Sequence, residues 1–513
     1  LFDCCDRKFP TLELNNNQNF QKIARICQTD NLLIFHTYKY VAPKHLNYPK
    51  KKILIMATLI SPQAKTKLPN RTKTPPVIIM IQALIDQFGT LEKFQKKYGD
   101  IFYTPKSPLL PPYVIFSDPK AIEKVFTAEP KLFEVGKQSS LPIRILLGDN
   151  SLVLLDGIQH QQRRKLLMPP FHGERMKSYG QTMVDVTKKV ISQWQVGQNI
   201  CIRDYTQEIS LRVILRTVFG LDEGEKYDKL KQVLIDYLNI FNSPIKSFFL
   251  FFPLLQKDLG VLTPWRKFLK QKQSIHEILQ AEIDRRRNNP NTLGEDILSL
   301  LLSARDEDGQ PMTDNEIRDE LMTMLFAGHE TTANSLAWAF YWLHYLPEVG
   351  QKLKSELNSC NNNTDYNTIA KLPYLSAVIS ETLRIHPVVV FLGRQLKEPF
   401  EIMGYTFEPG TSLFPCIYLT HQREDIYPEP KKFKPERFLE RQFSPYEYIP
   451  FGGGHRRCLG YAFALFEMKL VLATILSQVE LELLDNRSLK PSRRGFTFTP
   501  SGGVKMKVKA VTN

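Results

Sequence analysis

Cysteine is scarce in this sequence. Seven occur in 513 residues (Cys4, Cys5, Cys27, Cys201, Cys360, Cys416 and Cys458), odd in number and widely scattered, so no disulfide framework is implied. No C-x-x-C pair occurs, which argues against zinc ribbons and iron–sulfur clusters. Free thiols of this kind fit a reducing, cytoplasmic compartment. Long apolar runs are missing too. The longest, Ile53 to Ile60 and Phe248 to Leu255, fall far short of the ~18–20 residues that cross a bilayer. Acidic residues are outnumbered, 53 against 68 Lys plus Arg, for a formal charge of +15. The basic runs are only Lys50-Lys51-Lys52 and Arg285-Arg286-Arg287, which read as solvated surface. No motif supports binding to nucleic acid.

What is present divides at about residue 68. Residues 1–55 carry Asn15-Asn16-Asn17, show no sustained period, and precede Met56, the first methionine. We expect translation to start near Met56, and 1–67 to be an extension that is disordered or foreign to the native protein. From Leu68 to residue 513 no repeat and no Gly/Ser linker interrupts the chain, so one α-rich domain is expected. A proline-rich entry (Thr74-Pro75-Pro76) leads to a helix with Leu91, Phe94 and Tyr98 on one face. Ile101-Phe102-Tyr103 and Tyr113-Val114-Ile115-Phe116 read as paired strands.

Cys458 is the most informative residue. It lies in Phe451-Gly-Gly-Gly454-His-Arg456-Arg-Cys458-Leu-Gly460. Glycines let a thiolate approach a flat cofactor and let backbone N–H groups point at the sulfur. Arg456 is placed to pair with a carboxylate of the same cofactor. A second block is central to a long helix. Thr313-Asp-Asn-Glu316 is a capping box, and the helix it opens should run to about Tyr345 and be buried. Its middle reads Ala327-Gly328-His329-Glu330-Thr331-Thr332. Small residues let a cofactor lie against the backbone, and a Thr hydroxyl bonds to a carbonyl one turn back. An ordinary kink would account for the threonines equally. The run His329-Glu330-Thr-Thr-Ala333 also nears a zinc-protease helix, but Ala333 cannot bind metal.

A third block, Glu381-Thr-Leu-Arg384, puts an acid and a base on one helix face. On its own it would pass as a surface pair. Phe433-Lys-Pro435-Glu-Arg437-Phe438 follows it.

These four blocks, in this order, resemble the cytochrome P450 family, and the signature F-x-x-G-x-R-x-C-x-G is filled at every fixed position. The resemblance spans residues 327–460, and a weaker one reaches back to Leu68. It implies a mainly α, prism-shaped fold with small β-sheets. Haem b would lie between the central helix and the Cys loop, ligated by Cys458, with Phe451, Arg456 and Gly460 as the loop's fixed positions. Ala327 and Gly328 would border the haem, Thr331 would hydrogen-bond the oxygen being activated, and Glu330 would relay protons. Glu381, Arg384 and Arg437 would form a structural network. His160, where the family usually has Trp, would hold the propionates with Arg164, Arg394 and Arg456.

The implied reaction inserts one atom of O2 into a hydrophobic substrate and releases the other as water. Electrons would come from a separate ferredoxin-, flavodoxin- or reductase-type donor, docking on a basic face with His455 and Arg457. Some relatives isomerise or dehydrate peroxides, but they lack the acid–Thr pair; a non-catalytic haem carrier is the third reading. By family position the pocket is lined by Leu141 to Leu147, Phe326, Val388 to Phe391 and Thr499 to Ser501, mostly apolar residues. Together with Met168-Pro-Pro-Phe-His172 this resembles bacterial, cyanobacterial-type members near the fatty-acid hydroxylases. Long-chain fatty acids or alkanes are expected first, terpenoids second. Phe248, Phe249, Phe251 and Phe252 would make a lipid-facing entrance, with peripheral membrane contact.

Overall fold

Thr313 sets the longest element. Its hydroxyl accepts from the Glu316 N–H at 3.3 Å, and the Glu316 carboxylate accepts from the Thr313 N–H at 2.8 Å. This reciprocal cap satisfies two donors that a helix start would otherwise leave orphaned. The helix runs over Asp314–Tyr345 and stops where Pro347 begins the next one, Pro347–Asn358. At about 1.5 Å per residue it spans about 48 Å, and from Ala333 to Phe340 every residue is buried. In this computed structural model the described residues are 68–511, apart from 108–110, 137–139, 172, 174, 222, 240–255, 257–262 and 361–364. The expected extension 1–67 and the Phe248–Phe252 entrance lie outside them.

Around this central helix pack Ile202–Phe219, Tyr461–Gln478, Pro373–Ile385 and the short Leu141–Leu147. Packing is close at Gly328, where a Cβ would stand 2.9 Å from Ile214 Cδ1 on Ile202–Phe219. The main core fills the space between these helices, with Trp338, Phe340, Leu375, Val471 and Ile214 among its members. Tyr461–Gln478 is long and apolar enough to cross a membrane by composition alone. Glu467 and Lys469 interrupt it, so it is not an unbroken apolar run. Its Phe463, Leu470, Val471, Leu472 and Ile475 are buried in the main core, so it is a core helix.

The β structure is small and peripheral. The predicted strands pair as an antiparallel hairpin, Ile101–Thr104 with Tyr113–Phe116, in the register Ile101 opposite Phe116. Tyr113–Phe116 also pairs in parallel with Ser412–Pro415, and the sheet continues through Arg394–Leu396 to Phe133–Glu134. Phe116, Ile122, Phe126, Leu413 and Ile449 pack beneath it as a second core. The predicted face of Gln87–Tyr98 forms a third, with Leu91, Phe94 and Tyr98 buried against Phe102. Two further features reach the site: the hairpin Pro491–Arg494 with Thr497–Pro500, and the helix Gly157–Leu167.

Candidate active site

The Cys loop is shaped by its glycines and by Phe126. Gly454 has φ +64°, and a Cβ on it would lie 2.3 Å from the Phe126 carbonyl oxygen; a Cβ on Gly453 would meet the Phe126 ring. No other residue type fits either place without moving the helix Pro119–Thr127 that carries Phe126. The loop then closes on itself, with Cys458 N–H donating to the Phe451 carbonyl at 2.9 Å. Gly460 caps the helix Tyr461–Gln478. Its N–H points at the Cys458 sulfur, so a thiolate there would face the positive end of an 18-residue helix.

Cys458 is exposed, yet burial is the main influence on its thiol and pushes the pKa up, against Gly460 N–H, Arg164 and Arg457. A side chain both accessible and enclosed lines an internal cavity. Ala327 is exposed as well, on a helix whose neighbours Leu325 and His329 are buried. At Gly328, also expected to border the haem, a Cβ would stand 2.9 Å from Ile214 Cδ1, so packing against the helix Ile202–Phe219 calls for glycine there as well.

Three arginines, Arg164, Arg394 and Arg456, and two histidines, His160 and His455, gather beside the Cys loop. Burial, then Arg456, His455, Arg164 and Arg394 in turn, lower the His160 pKa to about 3. Burial and the neighbouring arginines lower His455 to about 4, and burial with Arg456 lowers Arg394 to about 10. The one carboxylate on Arg456 is Asp156, with 2.5 Å between Oδ1 and Nη2; the same guanidinium donates to the carbonyls of Leu155 and Val153. His160 Nδ1 is buried without a partner. Three guanidiniums beside a neutral imidazole whose Nδ1 has no partner among the described residues fit a dianion, such as the two propionates of haem. His455, expected on the docking surface, instead faces His160 with ring centroids 5.9 Å apart.

On the central helix, Thr331 Oγ1 donates to the Ala327 carbonyl at 2.7 Å and Thr332 Oγ1 to that of Gly328 at 2.9 Å, with the helix unbroken. Glu330 turns toward two arginines and a glutamine. Arg203 Nη2 donates to it at 2.8 Å, Arg494 Nε lies at 3.4 Å and Gln207 Nε2 at 3.4 Å. Burial raises its pKa, but Arg203, His329 and Arg494 outweigh that, and the net shift is down. Glu330 is therefore a carboxylate. Among the described residues no group of three or more His, Cys, Asp or Glu could hold a metal ion.

Behind the loop, Glu381 accepts from Arg384 at 2.6 and 2.8 Å, from Arg437 Nε at 3.0 Å and from Lys434 N–H at 2.8 Å. The network continues through a residue not foreseen. Arg384 Nη1 donates to the His421 carbonyl at 2.8 Å, and His421 Nδ1 meets the Arg384 carbonyl at 3.2 Å. His421 Nε2 accepts from Ile449 N–H at 3.0 Å, at the start of the Cys loop. Burial holds the His421 pKa at about 3, so the ring is neutral and both roles are compatible.

The cytochrome P450 family model matches residues 69–508. The chain belongs to the cytochrome P450 family. It is therefore a haem-thiolate monooxygenase, with iron protoporphyrin IX as its cofactor. It is 36% identical over 418 residues to the protein of Mycobacterium tuberculosis named cytochrome P450 135B1, covering 81% of this chain and 86% of that one. To the same organism's cytochrome P450 138 it is 32% identical over 439 residues, covering 85% and 95%. Among solved structures it resembles the retinoic acid-bound cyanobacterial CYP120A1, with a TM-score of 0.75, 27% identity, and coverage of 86% and 99%. The P450 expected from the Cys loop is thus a bacterial-type P450, and the mainly α fold agrees.

Proposed function

We propose that this P450 oxygenates a long apolar substrate, a long-chain fatty acid or alkane first and a terpenoid second. Cys458 is assigned as the iron ligand, and His160, Arg164, Arg394 and Arg456 as the propionate holders. Ala327, Phe451 and Gly460 border the haem, and Glu330 and Thr331 are the catalytic pair. Bound there, haem supplies the oxygen-activating chemistry. The protein's share is to hold the thiolate at a helix start, to keep an ionised acid beside a threonine, and to present a greasy wall.

The wall carries the substrate proposal. Phe326 meets Phe496 at 6.1 Å between ring centroids, above the exposed Ala327. Val388 and Val390 are buried in the segment expected to line the pocket, and Thr499 is buried on the facing hairpin. Apolar walls with few polar groups favour apolar ligands. The likeness to CYP120A1 supports an elongated ligand, since retinoic acid is a long apolar chain ending in a carboxylate.

We assign the electron donor to the ferredoxin, flavodoxin or reductase class. Arg457 is exposed beside the Cys loop, its guanidinium 4.0 Å from the Tyr461 ring centroid, and would meet an acidic partner face. A cytoplasmic protein touching a membrane peripherally is supported by the helix Pro76–Ile85. Its Ile78, Ile81, Leu84 and Ile85 are exposed at 45, 48, 36 and 82%, close after the exposed Arg71 and Lys73.

The test is a panel of fatty acids, alkanes and terpenoids, read by the spin-state change of the ferric iron and by oxygenated product. Fatty acids and alkanes should shift the spectrum; a response to terpenoids alone reverses the order. Small polar ligands shifting it while all three classes fail would end the proposal. A Cys458→Ser control should lose the strongly red-shifted Soret band of the reduced, carbon monoxide-bound protein.

A further inference from the structure

His329 is fully buried on the central helix, next to the catalytic acid. Its Nδ1 lies 2.7 Å from the Leu325 carbonyl oxygen. A carbonyl only accepts, so Nδ1 carries the ring hydrogen and Nε2 has a bare lone pair. That Nε2 has no hydrogen-bond partner and stands 3.8 Å from Glu330 Oε2. A lone pair facing a carboxylate oxygen in a buried place is an unmatched arrangement, and one added proton would match it.

The surroundings say from which side a proton arrives. Glu330 Oε1 is held by Arg203 at 2.8 Å, by Arg494 at 3.4 Å and by Asn334 Nδ2 at 3.5 Å. Oε2 has only Gln207 at 3.4 Å and the His329 ring. Arg494 is one-fifth exposed, whereas Arg203 is 4% exposed. The acid thus reaches toward solvent along the hairpin, and its less encumbered oxygen turns inward to the imidazole. The charged and titratable groups that act on the ring are Glu330, Arg203 and Arg494. Burial is the largest influence and lowers its pKa, Glu330 opposes this, and the two arginines add to it.

We propose that His329 and Glu330 form a one-proton store serving oxygen activation, in which Glu330 Oε2 takes a proton from solvent and His329 Nε2 accepts it. In the transfer the O–H bond of the protonated carboxyl breaks and an Nε2–H bond forms. The electron pair stays on the carboxylate, which then faces an imidazolium. Transfer back breaks the Nε2–H bond and re-forms the O–H bond on Glu330, which can pass the proton on; each proton passed on is replaced from solvent, so the pair itself is unchanged over a cycle. His329 acts through Glu330 and is a positioning residue. The inference rests on the monooxygenase reading of the site but adds a residue and a role to it.

The test uses the haem-loaded protein in its diamagnetic ferrous carbon monoxide form, with 15N-labelled histidine. The His329 ring is assigned by its loss in His329→Asn, whose amide nitrogen can keep the bond to the Leu325 carbonyl but offers no base. We expect the Nδ1–H tautomer at neutral pH, and protonation at Nε2 on acidification that changes in Glu330→Gln. An Nε2–H tautomer at neutral pH overturns the proposal, as does a ring titration indifferent to Glu330→Gln. In turnover, His329→Asn should lower product formed per electron pair about tenfold and change the solvent deuterium isotope effect, with the carbon monoxide spectrum unaltered. Unchanged coupling and isotope effect also overturn it. Should His329→Asn fail to fold, His329→Gln, which also lacks a base, supplies the assignment. If wild type itself yields no oxygenated product, the monooxygenase reading fails, and the tautomer measurement still decides the inference.

Discussion

Arg384 and Glu381 face each other through two hydrogen bonds, of 2.6 and 2.8 Å, and neither side chain reaches solvent. Removing one partner strands a buried charge, which costs roughly 3–5 kcal/mol. Arg384→Leu should lower the urea midpoint accordingly, and Glu381→Gln should do so too, because one amide oxygen replaces the carboxylate shared by Arg384 and Arg437 and the countercharge of both is lost. The double variant Glu381→Leu/Arg384→Leu should recover part of the loss. An Arg384→Leu protein as stable as wild type would refute a structural role.

His421 joins that pair to the Cys loop through Ile449 N–H. His421→Phe keeps a ring of similar shape and deletes the acceptor. Leaving one buried N–H unpaired costs about 1–3 kcal/mol. The effect should concentrate on the loop, as a growing fraction of the carbon monoxide form without the red-shifted Soret band while circular dichroism stays native.

Two glycines with positive φ should respond differently to alanine. Gly404 has φ +75° and open space around it, so Gly404→Ala should cost only the backbone term, roughly 1–2 kcal/mol. Gly454 has φ +64° and the Phe126 carbonyl in the way. Gly454→Ala should cost roughly 2–5 kcal/mol and impair haem retention. Equal melting shifts would show that the loop is not clamped by Phe126.

Glu467 is fully buried, and among the described residues no side chain other than the weakly placed Ser210 hydroxyl is available to its carboxyl oxygens. Burial raises its pKa to about 8, and the nearby Ser210 offsets this only in part. Its folded pKa lies above the unfolded value, so its contribution is fully present below about pH 4.5 and is lost as pH rises toward 8. Glu467→Gln removes that dependence. Relative to wild type, the variant should gain stability steadily between pH 5 and 8, on the order of 3 kcal/mol at pH 7. Parallel stability–pH curves for the two proteins would exclude a neutral buried carboxyl.

The parts legible in the sequence are those whose chemistry is local. The capping box at Thr313, the apolar face Leu91–Phe94–Tyr98 and the glycines around Cys458 each state their geometry within a few residues. Partners from distant segments left no such mark. Arg203 and Arg494 reach Glu330 across 127 and 164 positions (330 − 203 and 494 − 330), and Asp156 meets Arg456 across 300. An arginine on a helix or a hairpin reads as surface until the tertiary contact is seen. His421 was silent for the same reason. The neighbour of Gly328 was silent too, since a small residue in a buried helix does not say that a second helix, through Ile214, comes this close to it.

The parallel pairing of Tyr113–Phe116 with Ser412–Pro415, and the Asp156–Arg456 contact, put the two walls of the site at opposite ends of the synthesis. A chain emerging from the ribosome can form the hairpin Ile101–Phe116 and the central helix early, because those contacts are local. The pocket acquires its floor only after residue 458 and the helix behind it have been made. Until then the faces destined for Tyr461–Gln478 are exposed, and such faces invite aggregation. The order of synthesis therefore leaves the Cys loop, the helix Tyr461–Gln478 and the hairpin Pro491–Pro500 to the end.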